Sequence, residues 1–171
     1  RTDIRRTQRA LRRPGALLEL AFDEGRIEAD DAVLPVCELE IELMRGEPAA
    51  LLSTAAAWVA RHGLWLDVRS KAERGTLLAL GRRGSPPRKA AAVPLQAALT
   101  SGEARRRVLG ECVQQVLANA SQIASGGFED DHVHQLRVGL RRLRSAIDLF
   151  APAHAEADPL AEGAGSLFRA L

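Results

Sequence analysis

Two stretches of this sequence place charged side chains where they can act together. In Val36 to Met44, VCELEIELM, Glu38, Glu40 and Glu42 alternate with Leu39, Ile41 and Leu43. An extended chain turns successive side chains to opposite faces, so the three carboxylates share one face at spacings of about 7 Å. As an anonymous antiparallel strand, this is an acidic face in water above an apolar face in a core. Three carboxylates with no interleaved cation also repel one another, and a divalent ion relieves the repulsion. All-oxygen ligands suit Mg²⁺ or Mn²⁺ rather than zinc.

The second stretch is His132 to Phe150, HVHQLRVGLRRLRSAIDLF. At helical periodicity Val133, Leu136, Leu140, Leu143, Ile147 and Phe150 form one stripe, and His134, Arg137, Arg141 and Arg144 form its neighbour. One stripe packs; the other is a solvated face or an anion site. Guanidinium groups fit phosphate oxygens, and Arg137 to Arg144 span roughly 10 Å of helix axis. His132 and His134, two residues apart, face different ways and make a poor metal chelate.

The elements that must position these residues follow from turn and cap chemistry. Ile4 to Leu11 reads as a strand, turned by Arg12-Arg13-Pro14-Gly15 into a second over Ala16 to Asp23. The Asp23-Glu24-Gly25-Arg26 corner returns the chain into a short strand, Arg26 to Ala29, ahead of the acidic strand. Pro48 to His62, closed by Gly63, reads as a helix. Ser70-Lys71-Ala72-Glu73 has capping-box spacing for a short helix toward Leu80. Lys71 in its first turn opposes the helix dipole, which suggests another partner for that side chain.

Gly84 to Pro94, GSPPRKAAAVP, has the composition of a linker. Beyond it, capping-box spacing at Thr100 to Glu103 and an apolar stripe of Leu109, Val113, Val116, Leu117 and Ile123 predict a helix over 101–124. Asp130 or Asp131 caps the arginine-bearing helix, and Asp158-Pro159 opens another. Arg105 to Arg107 wrap around their helix as a solvated cluster.

The chain has 171 residues, 24 Lys and Arg against 22 Asp and Glu, and a formal charge of +2. This balance is not that of a generic nucleic-acid binder, and the absence of tyrosine leaves few stacking platforms. Leu51 to Ala60, the most apolar run, is too short to span a bilayer, and no apolar segment follows Arg1 as in a signal peptide. A cytoplasmic protein without a membrane partner is expected. Cys37 and Cys112 form no Cys-x-x-Cys pair and are expected as buried thiols. The sequence leaves the oligomeric state open.

His134, Arg137-Val138, Arg141-Arg142 and Arg144, closing on Leu149 and Phe150, resemble the signature helix of the CHAD family, all-helical modules associated with inorganic polyphosphate. The resemblance implies that His134, Arg137, Arg141, Arg142 and Arg144 bind polyphosphate. Upstream, Arg6, Glu19, Asp23-x-Gly25, CELEIEL and Ser70-Lys71-Ala72-Glu73-Arg74-Gly75 resemble the C-terminal half of a CYTH domain, the triphosphate tunnel metalloenzymes, over roughly residues 1–83. Within that family the chain is most similar to inorganic triphosphatases that carry a CHAD domain. The implied fold is α+β: a partial antiparallel β tunnel or barrel with helices over 1–83, a linker over 84–94, and the beginning of a helical bundle over 95–171.

The CYTH resemblance implies that Glu38, Glu40 and Glu42 face inward to hold Mg²⁺ or Mn²⁺ and position water, with Glu19 and Asp23 as weaker metal candidates. Arg6 and Lys71 would grip phosphate, and Lys71 would join the carboxylates in catalysis. The implied reaction is metal-assisted hydrolysis of triphosphate to diphosphate and phosphate. No Glu-x-Glu-x-Lys strand precedes Arg1, so a fragment of a longer protein, inactive by itself, is expected. The alternatives are a non-catalytic polyphosphate-targeting module, or a CYTH enzyme acting on thiamine triphosphate or ATP.

Overall fold

The computed structural model describes residues 1–82, 84–152 and 158–171. The chain forms two compact units, Arg1–Arg83 and Gly84–Leu171. Their order is three strands and two helices, then three helices: β1 (Thr2–Arg13), β2 (Ala16–Ala29), β3 (Ala32–Gly46), α1 (Pro48–His62), α2 (Lys71–Ala79), α3 (Ser101–Ala124), α4 (Asp130–Phe150) and α5 (Pro159–Ala170). Among the described residues no helix is long and apolar enough to cross a membrane.

The strands form one antiparallel meander in the order β1-β2-β3. The α+β class holds; a closed barrel or tunnel is not formed by the described residues, because three strands leave β1 and β3 as edges. The expected corner at Asp23-Glu24-Gly25-Arg26 is also absent. β2 runs straight through it, pairing Arg6 with Asp23 and Ile4 with Gly25 on one side and Glu38 with Asp23 on the other. Gly25 serves close strand approach instead of a turn: a Cβ there would stand 2.0 Å from the Asp3 carbonyl oxygen. The reversal falls at Asp30, whose φ of 49° is the left-handed conformation that aspartate tolerates in tight turns.

Both helices of the first unit pack on β2 and β3. Gly63 ends α1 with a left-handed C-cap, and the Ser70 hydroxyl caps α2 by accepting from the Glu73 N–H. Gly75 of α2 lies against Ile27, which is buried, so α2 covers the face of the sheet that carries Asp23 and Glu38. Cys37 is exposed on edge strand β3, contrary to the expected buried thiol, whereas Cys112 is buried in the helical core.

In the second unit, Leu136, Leu140, Leu143 and Ile147 of α4 pack with Cys112 of α3 and Ala164 of α5. This is the stripe read from the sequence. Gly139 lets α3 and α4 approach, since a Cβ there would meet Val116 at 3.1 Å and Gln115 at 3.3 Å. Thr100 and Glu103 form the capping box of α3. The N-cap of α4 is Glu129, which moves the expected caps Asp130 and Asp131 into the first turn, where their charge complements the dipole.

Residues 84–94 have no regular structure, as their composition implies, yet they are pinned along α3. The Ser85 N–H donates to Gln122, the Arg88 N–H and carbonyl both bond the Asn119 amide, and the Ala91 N–H donates to Glu111. Gln122 and Asn119 are almost fully buried, and each supplies a backbone partner that an extended strap lacks.

Candidate functional site

In the first unit, register does the assembling. Alternation along β3 puts Glu38 and Glu40 on the face that also carries Asp23 of β2 and Arg6 of β1. The first turn of α2 lowers Lys71 and, three residues on, Arg74 onto the same face.

Asp23 is the hub. Its carboxylate is 0% exposed and is gripped in a fork by Arg6, with Nε to Oδ1 and Nη2 to Oδ2 both at 2.7 Å. Lys71 Nζ lies 2.7 Å from Asp23 and 2.6 Å from Glu40, and it also pairs with Glu38. Arg6 reaches Glu40 at 2.6 Å, and Arg74 pairs with Glu38. Three carboxylates are therefore balanced by three cations.

The protonation states follow from these contacts. The Arg6 hydrogen bonds, opposed by burial and aided by Lys71, hold the Asp23 carboxyl at about 2. Lys71 donating to Glu40 depresses that carboxyl too, against the effect of burial. For Lys71, burial disfavours the ammonium, but hydrogen bonds to Asp23, Glu38 and Glu40 outweigh it and raise its pKa. The Asp23 hydrogen bond likewise raises that of Arg6.

Asp23, Glu38 and Glu40 offer oxygen atoms all within 4.8 Å of one another. That donor set fits a hard divalent cation, with one condition: the Lys71 ammonium bonds all three carboxylates and must withdraw for the ion. A cavity of about 740 Å³ opens beside the cluster, lined by Arg6, Glu38, Glu40, Trp65, Arg69 and Lys71 among others. Glu42 and Glu19 lie farther along the same face. They face each other across β3 and β2, Glu42 is exposed, and Glu19 accepts from Gln8 at 2.8 Å, so neither joins the triad.

In the second unit, His134, Arg141 and Arg144 are exposed on α4, and Arg137 is half-buried. Among the described residues none of the four lies within ion-pair distance of a carboxylate. The Arg137 and Arg141 guanidinium groups lie 4.7 and 5.5 Å from the centre of the Phe168 ring of α5.

Arg142 is different. It pairs with Glu111 of α3 at 2.7 Å and donates to Gln115 at 2.5 Å, so its charge is spent between the helices and not in the arginine row where the sequence placed it. The Glu111 carboxyl, though burial disfavours its charge, is held below its usual range by the Ala91 N–H and Arg142. His132 is buried; its Nδ1 accepts from the Glu129 N–H and its Nε2 lies 3.0 Å from the Ser85 carbonyl. With Nδ1 accepting, Nε2 is the ring nitrogen that faces the Ser85 carbonyl, and this contact pins the strap to α4.

Arg74 and the contact of Phe168 with α4 are additions to the residues that the sequence singles out. The i, i+3 spacing of Lys71 and Arg74 was a usable signal for the first; nothing near Phe168 pointed to α4.

Residues 107–171, which include α4, α5 and most of α3, match the family model of the CHAD domain. The part of the chain that carries the free arginine row is thus similar to a CHAD domain.

Proposed function

We propose that the Arg137, Arg141 and Arg144 row of α4, with His134 beside it, binds inorganic polyphosphate. The observation that carries this reading is a set of arginines without carboxylate partners among the described residues, on a segment similar to a family linked to polyphosphate. A chain of phosphates supplies repeated anionic oxygens at a spacing that a row of guanidinium forks can follow, whereas a single small anion uses only one. Titration of the chain with long-chain polyphosphate, beside single-stranded DNA of matched total charge, tests this. Preference for polyphosphate is expected; equal affinity for both would reduce the row to a generic basic surface.

A second reading, for the first unit, is favoured by a separate observation: Asp23, Glu38 and Glu40 converge with Arg6, Lys71 and Arg74 beside a cavity. We assign this cluster to hydrolysis of a phosphoanhydride, with inorganic triphosphate as the substrate and thiamine triphosphate or ATP as alternatives. Asp23, Glu38 and Glu40 would hold Mg²⁺ or Mn²⁺, which supplies charge neutralisation and an activated water. Arg6, Lys71 and Arg74, relieved of their carboxylates, would hold phosphate oxygens and stabilise charge developing on the leaving group. Glu42 has no part in this set. Turnover by the open three-stranded sheet is expected to be low, since the cluster is not enclosed from water. Metal-dependent phosphate release that survives Glu40→Gln would remove the cluster from the chemistry.

A further inference from the structure

The arginine row does not lie on α4 alone. Arg137 and Arg141 both rest on the ring of Phe168, at 4.7 and 5.5 Å from its centre. One turn of α5 earlier, Arg144 Nε and Arg169 Nη1 stand 3.4 and 3.5 Å from the point that a Gly165 Cβ would occupy. Residue 165 has no side chain, and two guanidinium groups close over the space left. Arg169 is exposed, and its other nitrogen donates to Ser166 at 3.2 Å. Four guanidinium groups thus meet along one side of α5 with no carboxylate among the described residues to neutralise them. Like charges gathered on an apolar floor repel one another unless an anion joins them, and an aromatic face holds guanidinium groups without consuming their in-plane donors.

We propose that α5 completes the polyphosphate site: Arg169 is a fourth phosphate ligand, and Phe168 is a positioning residue that holds Arg137 and Arg141 parallel and their donors outward. This rests on the polyphosphate reading of α4. An unsupported arginine must be ordered when the anion binds; one already stacked has lost that freedom beforehand.

The test is a titration of the full chain with long-chain polyphosphate over a range of salt concentrations. Arg169→Ala, at an exposed position that does not threaten folding, is expected to weaken binding and to flatten the plot of log affinity against log salt by about 0.7 to 0.9, the release of roughly one counterion. Phe168→Leu is expected to weaken binding on the order of tenfold with an unchanged slope, because no cation is lost and two side chains must be reordered. Phe168→Trp, which keeps an aromatic face, is expected to restore it. Native affinity and slope in both Arg169→Ala and Phe168→Leu, while Arg137→Ala with Arg141→Ala weakens binding and flattens the slope, would overturn the role of α5 and leave the α4 reading standing. A Phe168→Leu loss that Phe168→Trp does not rescue would make the ring a core residue only. Failure of the native chain to bind polyphosphate would instead sink the α4 reading itself.

Discussion

The two charged regions of this molecule use similar side chains to opposite ends. On the sheet, Arg6, Lys71 and Arg74 are locked to Asp23, Glu38 and Glu40. On α4, Arg137 and Arg141 rest on Phe168 of α5 and Arg144 lies beside Gly165, with no carboxylate partner among the described residues. An anion reaching the first region must compete with carboxylates already in place, and a metal ion that claims those carboxylates frees the cations for it. The second region needs no such exchange. Charge count alone does not separate the two; what each cation already touches does.

The largest effect is expected at Asp23. Replacing it by Asn leaves Arg6 and Lys71 without their buried partner and is expected to destabilise the first unit by about 3 kcal/mol, read from denaturant unfolding. Because the folded carboxyl titrates at about 2, below its ordinary value, its contribution is present above about pH 4 and lost as pH falls toward 2. Acid unfolding of the native first unit should show that component, and Asp23→Asn should lack it.

Arg142→Ala sharpens the distinction within α4. It strands Glu111, whose side chain is 11% exposed, and is expected to cost about 2 kcal/mol of stability while polyphosphate affinity stays near native. A large affinity loss without destabilisation would return Arg142 to the row.

A smaller effect separates the carboxylates of β3. Glu40→Gln is expected to weaken Mn²⁺ binding on the order of tenfold, and Glu42→Gln to leave it unchanged, by calorimetric titration. Equal loss in both would mean that the cluster reorganises to include Glu42.

How much of this was legible in the sequence follows from the range of each interaction. Caps and periodicity are local, so α1 and α3 match their expected bounds, and the stripe of α4 packs as read. The Glu face of β3 was visible from alternation, and Lys71 from its place against a helix dipole. The rank of Asp23 was not, because it depends on β2 continuing through Gly25, a glycine that reads as a turn until β1 is seen pressed against it. The linker composition of 84–94 concealed a pinned strap, since its partners Gln122, Asn119 and Glu111 lie 37, 31 and 20 residues on, in a helix where polar residues pass for surface. Arg142 looked like one more member of a basic run, and only the packing of α3 on α4 spends its charge.

If the unpartnered arginines of α4 form the polyphosphate site, the salt dependence of polyphosphate binding must report them. For Arg137→Ala with Arg141→Ala, the slope of log affinity against log salt is expected to flatten by about 1.5 relative to the native chain, two cations fewer releasing fewer counterions. A double variant with native affinity and native slope would contradict the claim and place the binding surface elsewhere on the chain.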